Sequence, residues 1–180
     1  MIDYGKFAFA AAPRTGTSWV RSAACAAGLG EHPSTYVHIP TEPSPNRFSV
    51  SMVRHPCDWL LSYWHSLKGG VIGVKSVDMF AKCCWDSTFD LFIRRYVAMM
   101  PGEVGRMFFS YQADSYLKTE DLPWAFDELL GMVGVSEALR TKARTLGPQN
   151  TTNKIRACWH PSLRQRVLDA EREMIEHFDY

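Results

Sequence analysis

Two short apolar segments, each followed by a polar turn and a helical stretch, constrain the fold of this chain more than any other feature. The first runs from a strand at Lys6–Ala12 through a turn at Pro13–Thr17 into an alanine-rich helix at Ser18–Ala27. The second runs from a strand at Arg47–Val53, with apolar residues on one face and serines on the other, into a helix at Cys57–Leu67. This alternation predicts an α/β domain with a mainly parallel sheet flanked by helices.

The size and charge of the chain fit a single domain over residues 1–180. A chain of 180 residues can bury a core of its own. Twenty Lys and Arg against nineteen Asp and Glu give a net charge of +1, which predicts no broad basic surface for nucleic acid or an anionic membrane. The apolar segment Phe7–Ala12 is far shorter than the roughly 20 residues of a membrane span, and we expect a strand there. Any bound anion must therefore be held by a few well-placed cations.

The cysteines indicate a reducing compartment. There are five, an odd number, and no two have the spacing of metal ligands. The adjacent pair Cys83 and Cys84 does not fit an ordinary disulfide framework. We therefore expect reduced thiols and a cytoplasmic location.

The rest of the chain is predicted to be mainly helical. Residues 31–46 contain four prolines and are expected to form a loop with one short extended piece. Helical patterns occur within Val77–Met100, from Asp121 as N-cap to Val133, and from a capping box of Ser162 and Gln165 to Phe178. Short extended pieces are predicted at Met107–Tyr111 and Ser115–Lys118.

The turn after the first strand has the composition of an anion-binding loop. It reads Pro13-Arg14-Thr15-Gly16-Thr17-Ser18-Trp19, and such a turn directs backbone N–H groups and the positive end of the helix dipole at one spot. Gly16 lets the backbone approach an anion closely, and Arg14 supplies a full charge. Hydroxyl donors are available from Thr15, Thr17 and Ser18. The alternative is an ordinary loop with a Ser or Thr helix cap.

The same loop does not have the sequence of an ATP-binding P-loop. That motif needs a glycine, four residues, and then Gly-Lys followed by Ser or Thr. Here Ala10 or Ala11 stands near the position of the first glycine, and Thr17 follows Gly16 where the lysine belongs. ATP hydrolysis is therefore disfavoured.

A second candidate anion site follows the second strand. Arg54 stands at the end of this strand, and Ser62 lies about two helical turns into the next helix, with Pro56 fixing the turn between them. An arginine and a hydroxyl that converge in this way can hold a second phosphate. The alternative is that Arg54 pairs with a surface carboxylate and Ser62 is an unremarkable helix residue.

Taken together, the two segments resemble the two PAPS-binding signatures of the sulfotransferase family (PAPS is 3′-phosphoadenosine 5′-phosphosulfate). The 5′-phosphosulfate loop of that family resembles Pro13–Trp19, and its 3′-phosphate site resembles Arg54 with Ser62. Leu117–Leu122 and the C-terminal section are similar to further blocks of the family. The resemblance implies a P-loop-like α/β fold, PAPS as the donor, and Trp19 close to the adenine of the donor.

The chain departs from the family pattern at several positions. Cytosolic members usually carry lysine where Arg14 stands, and Thr119 occupies a position where an aromatic residue is common. No segment matches the Arg-Lys-Gly stretch that closes over the 3′-phosphate. Lys154 is a candidate substitute, and the alternative is an exposed loop lysine.

A general base is also implied by the resemblance. Thr35–Pro40 is similar to a Thr-His-Leu-Pro stretch whose histidine is the base, which places His38 in that role. An ordinary histidine pKa near 6.5 suits proton transfer at neutral pH. Other branches use a glutamate, so Glu42 and Glu31 are alternatives, as is a structural role for His38.

The resemblance implies transfer of a sulfuryl group to a hydroxyl or amine of a small-molecule or glycan acceptor by in-line displacement, with no metal. A nucleotide or small-molecule kinase and a non-catalytic nucleotide-binding domain are the alternatives. A set of aromatic residues either lines an acceptor pocket or forms core, namely Trp64, Phe80, Trp85, Phe89, Phe92 and Tyr96.

Overall fold

A computed structural model describes residues 1–30, 42–43, 46–69, 79–147 and 158–180. The chain divides into two compact units, each built from two separate segments. We call Met1–Arg54 with Phe108–Asn150 the sheet unit, and His55–Met107 with Thr151–Tyr180 the helical unit. The assignment of the whole chain to one domain stays a prediction.

The sheet unit contains a four-stranded sheet in the order β1-β2-β3-β4. The strands are β1 (Ile2–Asp3), β2 (Ala8–Ala10), β3 (Ser49–Val53) and β4 (Ser115–Lys118). The first strand is antiparallel to β2, whereas β2, β3 and β4 are parallel, with Ala8 opposite Ser49 and Val50 opposite Ser115. The predicted α/β class with a mainly parallel sheet is confirmed.

The central strand β3 is buried along its whole length. Its serine face is therefore covered as well, although the alternating pattern suggested a polar side. Burial of the hydroxyls is compensated by hydrogen bonds, because Ser51 Oγ donates to the Ala10 carbonyl at 3.1 Å and Ser49 Oγ donates to Asp114 Oδ2 at 2.6 Å. The Ser49 N–H also donates to this carboxylate, and the two bonds lower the pKa of Asp114.

Nine α-helices are present among the described residues. They are α1 (Thr17–Ala26), α2 (Pro56–Lys68), α3 (Met79–Cys84), α4 (Phe89–Met99), α5 (Glu103–Phe109), α6 (Trp124–Met132), α7 (Glu137–Arg144), α8 (Pro161–Ala170) and α9 (Arg172–His177). A 3₁₀ turn at Thr119–Asp121 follows β4. Within these residues no helix combines the length and the apolar character needed to cross a membrane.

The core of the sheet unit lies between the sheet and its helices. Phe7, Phe9, Val50 and Met52 from the sheet segments pack with Val20, Ala23 and Ala24 of α1 and with Phe126, Leu129 and Leu130 of α6. Ala23 and Ala24 of α1 belong to this core, and their small side chains suit the close approach of α1 to α7. The predicted first helix and strand are thereby confirmed.

Two helices differ from the predictions. Met107–Tyr111 was expected to be extended, but α5 continues through Phe109, and Val104 and Phe108 are fully buried at helical spacing.

Helix α7 was not predicted at all, because its sequence is mostly charged. Its arginines Arg140 and Arg144 lie 3.7 and 3.1 Å from Asp127 Oδ2 on α6, so tertiary ion pairs hold this helix.

Two predicted helix caps are wrong. Pro123, not Asp121, is the residue before α6, since Asp121 belongs to the 3₁₀ turn. Helix α8 begins at Pro161 with His160 as its N-cap residue, and the Ser162 hydroxyl lies 2.8 Å from His160 Nδ1 instead of capping the helix. Proline at the first helical position fixes this earlier start.

The core of the helical unit is built from aromatic rings. Trp59 stacks on Tyr63 at 5.0 Å, and Phe80 stacks on Tyr96 at 5.9 Å. Of the six aromatic residues proposed as pocket or core, all except Trp85 are buried. The core alternative therefore accounts for these side chains.

A buried carboxylate divides the predicted last helix in two. Glu171, between α8 and α9, is 1 % exposed. Its Oε2 accepts the Gly105 N–H at 2.7 Å, and its Oε1 accepts the Tyr96 hydroxyl. Burial raises the pKa of Glu171 from 4.5 to about 7, because a charge in a low-dielectric interior is unfavourable. The Glu171 side chain therefore accepts a hydrogen bond at the start of α5. Its raised pKa means that it keeps its proton to a higher pH than an ordinary glutamate.

The raised pKa of Glu171 predicts a pH-dependent stability. The unfolded chain loses this proton near pH 4.5 and the folded chain near pH 7, so the free energy of unfolding should fall by about 3 kcal/mol as pH rises through this window. Glu171→Gln keeps one carbonyl oxygen and is never charged, so it should flatten that part of the curve. Urea titrations at pH 4, 5.5, 7 and 8 measure the slope. Glu176→Gln, an exposed carboxyl on α9, is the control, and an unchanged slope in Glu171→Gln would contradict the assignment.

Candidate anion-binding site

The carboxyl ends of three strands meet at one edge of the sheet. Because β2, β3 and β4 are parallel, the segments that leave their carboxyl ends lie together. These segments are the loop before α1, Arg54 after β3, and Thr119 after β4. Two of the three were predicted from sequence to bind anions, and the sheet topology gives them a common location.

The loop before α1 contains two residues with left-handed backbone conformation. Arg14 has φ of 63° and Gly16 has φ of 82°. Gly16 is the N-cap residue of α1, and the first bond of the helix runs from the Val20 N–H to the Gly16 carbonyl at 3.1 Å. The N–H groups of the first helical turn precede that bond and have no acceptor within the helix. The first turn also contains no acidic residue, so the dipole at this helix end is not offset by a carboxylate of its own.

Inward-facing residues of the loop hold its shape. Thr15 and Thr17 are buried, and both hydroxyls donate to the Ala12 carbonyl, at 2.8 and 3.0 Å. From the sequence, these hydroxyls were expected to be available to an anion. In the structure their protons are directed at the protein backbone, so they order the turn.

Trp19 likewise faces the core. It is 8 % exposed, its ring packs edge-on against Phe126 at 5.8 Å, and its indole N–H donates to the Leu146 carbonyl at 3.4 Å. Packing accounts for this residue, and a contact with adenine stays a prediction. Arg14, Gly16 and Ser18 alternate with the inward residues and are only partly buried, so part of each of these residues is accessible to solvent.

Arg54 connects the two predicted motifs. Its Nη1 donates to the Arg14 carbonyl at 3.1 Å. The guanidinium at the end of β3 therefore lies against the backbone of the loop that follows β2. Arg54 has a structural task at this edge of the sheet in addition to the binding role predicted for it.

The remaining predicted site residues are placed differently. Ser62 lies partly buried on α2 in the helical unit, where its carbonyl accepts the Ser66 hydroxyl at 3.1 Å. Arg54 belongs to the sheet unit, and a joint phosphate site of Arg54 and Ser62 stays a prediction. His38, Glu31 and Lys154 lie outside the described residues, and Glu42 is exposed.

Thr119 is a site residue that sequence reasoning missed. Its Oγ1 lies 2.9 Å from the Val53 carbonyl and 3.1 Å from the Thr15 carbonyl, so it connects the end of β3 with the loop. Two features of the sequence could have indicated this residue. Thr119 directly follows the predicted extended piece Ser115–Lys118, and it replaces the aromatic residue that is common at this position in the sulfotransferase family.

The described residues contain no group of three or more His, Cys, Asp or Glu side chains arranged to hold a metal ion. Comparison with protein-family models, with curated proteins and with solved structures finds no match for this chain. The resemblance to sulfotransferases therefore rests on the sequence motifs alone.

The left-handed conformation of Arg14 predicts an unusual order of stabilities. Arg14→Ala and Arg14→Gly both remove the guanidinium, but glycine adopts a positive φ without steric cost. Arg14→Gly should therefore be more stable than Arg14→Ala by about 1 kcal/mol, or roughly 2 to 4 °C in melting temperature. Thermal unfolding followed by circular dichroism measures the difference.

Arg21, within α1, is the matched control position. There alanine should be the more stable substitution by about 1 kcal/mol, because glycine is unfavourable inside a helix. If alanine were the more stable substitution at Arg14 as well, Arg14 would not have the left-handed conformation.

Proposed function

We propose that this protein is a PAPS-dependent sulfotransferase with a P-loop-like fold. The observation that carries the proposal is the hydrogen bond from Arg54 to the Arg14 carbonyl. It joins the loop that resembles the 5′-phosphosulfate site to Arg54, the cation of the segment that resembles the 3′-phosphate site. Two cationic positions at one sheet edge suit a ligand with two anionic groups.

The positive charges and the N–H groups at this edge suit a ligand with several negative charges. Arg14 and Arg54 are permanently charged, and the N–H groups of the first turn of α1 add the positive end of a helix dipole. Arg14, Gly16 and Ser18 are partly exposed and face the 5′ group of the donor, while Thr15 and Thr17 keep the loop in shape. Arg54 binds the 3′-phosphate, the role that the resemblance implies for it.

PAPS supplies the sulfuryl group. The hydroxyl or amine of the acceptor forms a bond to sulfur as the bond from sulfur to the bridging phosphate oxygen breaks, and adenosine 3′,5′-bisphosphate leaves. Arg14 and the loop N–H groups stabilise the charge on the departing oxygen, and His38 accepts the proton of the acceptor. A cytoplasmic location belongs to the proposal as well, and rests on the cysteine pattern.

Ligand-dependent melting distinguishes a sulfotransferase from a kinase. Adenosine 3′,5′-bisphosphate has the 3′-phosphate that Arg54 would hold, whereas ATP lacks it. At 100 times its dissociation constant a ligand stabilises the native state by about 2.7 kcal/mol, which corresponds to roughly 5 to 10 °C for a chain of this size. We expect that shift with the bisphosphate and a much smaller one with ATP and magnesium. An equal or larger shift with ATP and magnesium would refute the sulfotransferase proposal and favour a kinase.

Arg54→Ala, measured in the same assay, should lose most of the preference for the bisphosphate, because it removes both the charge for the 3′-phosphate and the bond to the loop. The control is Arg47→Ala, an arginine of the same unit whose ion pair with Asp3 is exposed and which should leave the preference unchanged. Arg14→Ala should reduce turnover more than bisphosphate affinity.

The assignment of His38 is tested by activity. His38→Ala should reduce sulfuryl transfer by about 10²- to 10⁴-fold, as is typical for removal of a general base, while the melting shift with bisphosphate is retained. His160→Ala, at the exposed N-cap of α8, is the control. Transfer by His38→Ala within a few-fold of the unaltered protein would direct attention to Glu42 and Glu31.

A further inference from the structure

We infer that Thr119 is a positioning residue that fixes the anion-binding loop through the carbonyl of Thr15. The hydroxyl of Thr119 lies 3.1 Å from the Thr15 oxygen and 2.9 Å from the Val53 oxygen. The loop before α1 is thereby connected to the end of β3 by a residue that follows β4. The role of Thr119 in ligand affinity rests on the proposed function, whereas its role in loop order does not.

The chemistry of the contact requires a hydroxyl donor. Both oxygens near Thr119 are backbone carbonyls, which accept hydrogen bonds and cannot donate them. One hydroxyl proton shared between the two carbonyls keeps both in place. Without it, two partly buried carbonyls lose a donor, and the Thr15 carbonyl loses its connection to β3.

The position of the Thr15 carbonyl decides where the next amide points. A trans peptide is planar, and its C=O and N–H groups point in opposite directions. A Thr15 carbonyl directed at Thr119 therefore turns the Gly16 N–H to the opposite side. The bond from Arg54 to the Arg14 carbonyl acts in the same way on the Thr15 N–H. Two successive amides are thus oriented by contacts within the protein.

The methyl group of Thr119 lies near the same loop residue. A Cβ atom added to Gly16 would lie 3.8 Å from Thr119 Cγ2 and 3.4 Å from Leu122 Cδ1. The segment after β4 therefore borders Gly16, while the Thr119 hydroxyl bonds to the preceding carbonyl. A β-branched side chain has few rotamers, which fixes the hydroxyl relative to the methyl group.

The test compares variants that separate the hydroxyl from the shape of the side chain. Thr119→Val has the same shape and no donor, whereas Thr119→Ser keeps the donor. We expect Thr119→Val to lower the amide order parameters of Thr15 and Gly16 from about 0.85 to below about 0.6, measured by ¹⁵N relaxation without ligand. The dissociation constant of adenosine 3′,5′-bisphosphate, measured by calorimetry, should rise roughly three- to tenfold. Thr119→Ser should remain close to the unaltered protein in both measurements.

Ser49→Ala is the matched control, because it removes a buried hydroxyl that bonds to Asp114 at the other end of β3. It should lower the melting temperature without changing loop order or bisphosphate affinity.

Unchanged loop order in Thr119→Val, or equal effects of Thr119→Val and Thr119→Ser, would overturn the inference. If Thr119→Val does not fold, Thr119→Cys, a weaker donor of similar size, should give intermediate loop order, and loop order equal to that of the unaltered protein would also overturn it. If the unaltered protein does not bind the bisphosphate, the sulfotransferase proposal fails, and the relaxation data alone decide the role of Thr119.

Discussion

The parallel pairing of β3 with both of its neighbours is the constraint on which the candidate site depends. It directs the carboxyl ends of β2, β3 and β4 to one edge of the sheet, and every residue of the site in the sheet unit leaves from those ends. A central strand buried on both faces is compatible with two serines only because Ser49 and Ser51 bond to Asp114 and to the Ala10 carbonyl. The antiparallel β1 has its carboxyl end at the opposite edge and contributes nothing to this site.

Much of this edge could be predicted from local sequence. The strands β2 and β3 and the helices α1 and α2 follow from apolar runs that end in turns with glycine or proline. Gly16 has the left-handed conformation that favours glycine, whereas the close approach of an anion predicted for it stays a prediction. Arg14 and Arg54 were predicted to lie at strand ends, and parallel pairing alone then brings them to the same place.

The rest depends on contacts between residues distant in sequence, which local patterns do not contain. The hydroxyl of Thr119 bonds to the carbonyl of Thr15, which is 104 residues away in the sequence. The sequence near either residue does not indicate this contact. The charged helix α7 depends on Asp127 of another helix. The break between α8 and α9 depends on Glu171, a carboxylate buried against α5. The inward direction of Thr15 and Thr17 was missed for a different reason. Their bonds to Ala12 are local, but a hydroxyl next to a helix start suits an anion or the backbone equally well.

Hydrogen bonds within the protein order the loop before α1, and this order bears on the specificity of the proposed site. Hydroxyls of Thr15 and Thr17 hold the Ala12 carbonyl, Arg54 holds the Arg14 carbonyl, and the Thr119 hydroxyl holds the Thr15 carbonyl. Oriented amides stabilise a charge without the cost of turning dipoles during binding or reaction. Because Arg54 both orients the loop and carries the charge predicted to meet a second phosphate, a ligand with two anionic groups would engage the loop and the residue that orients it together. Under the proposed function, a ligand with a single anionic group would engage the loop without Arg54, so we expect it to bind more weakly than a ligand with two anionic groups.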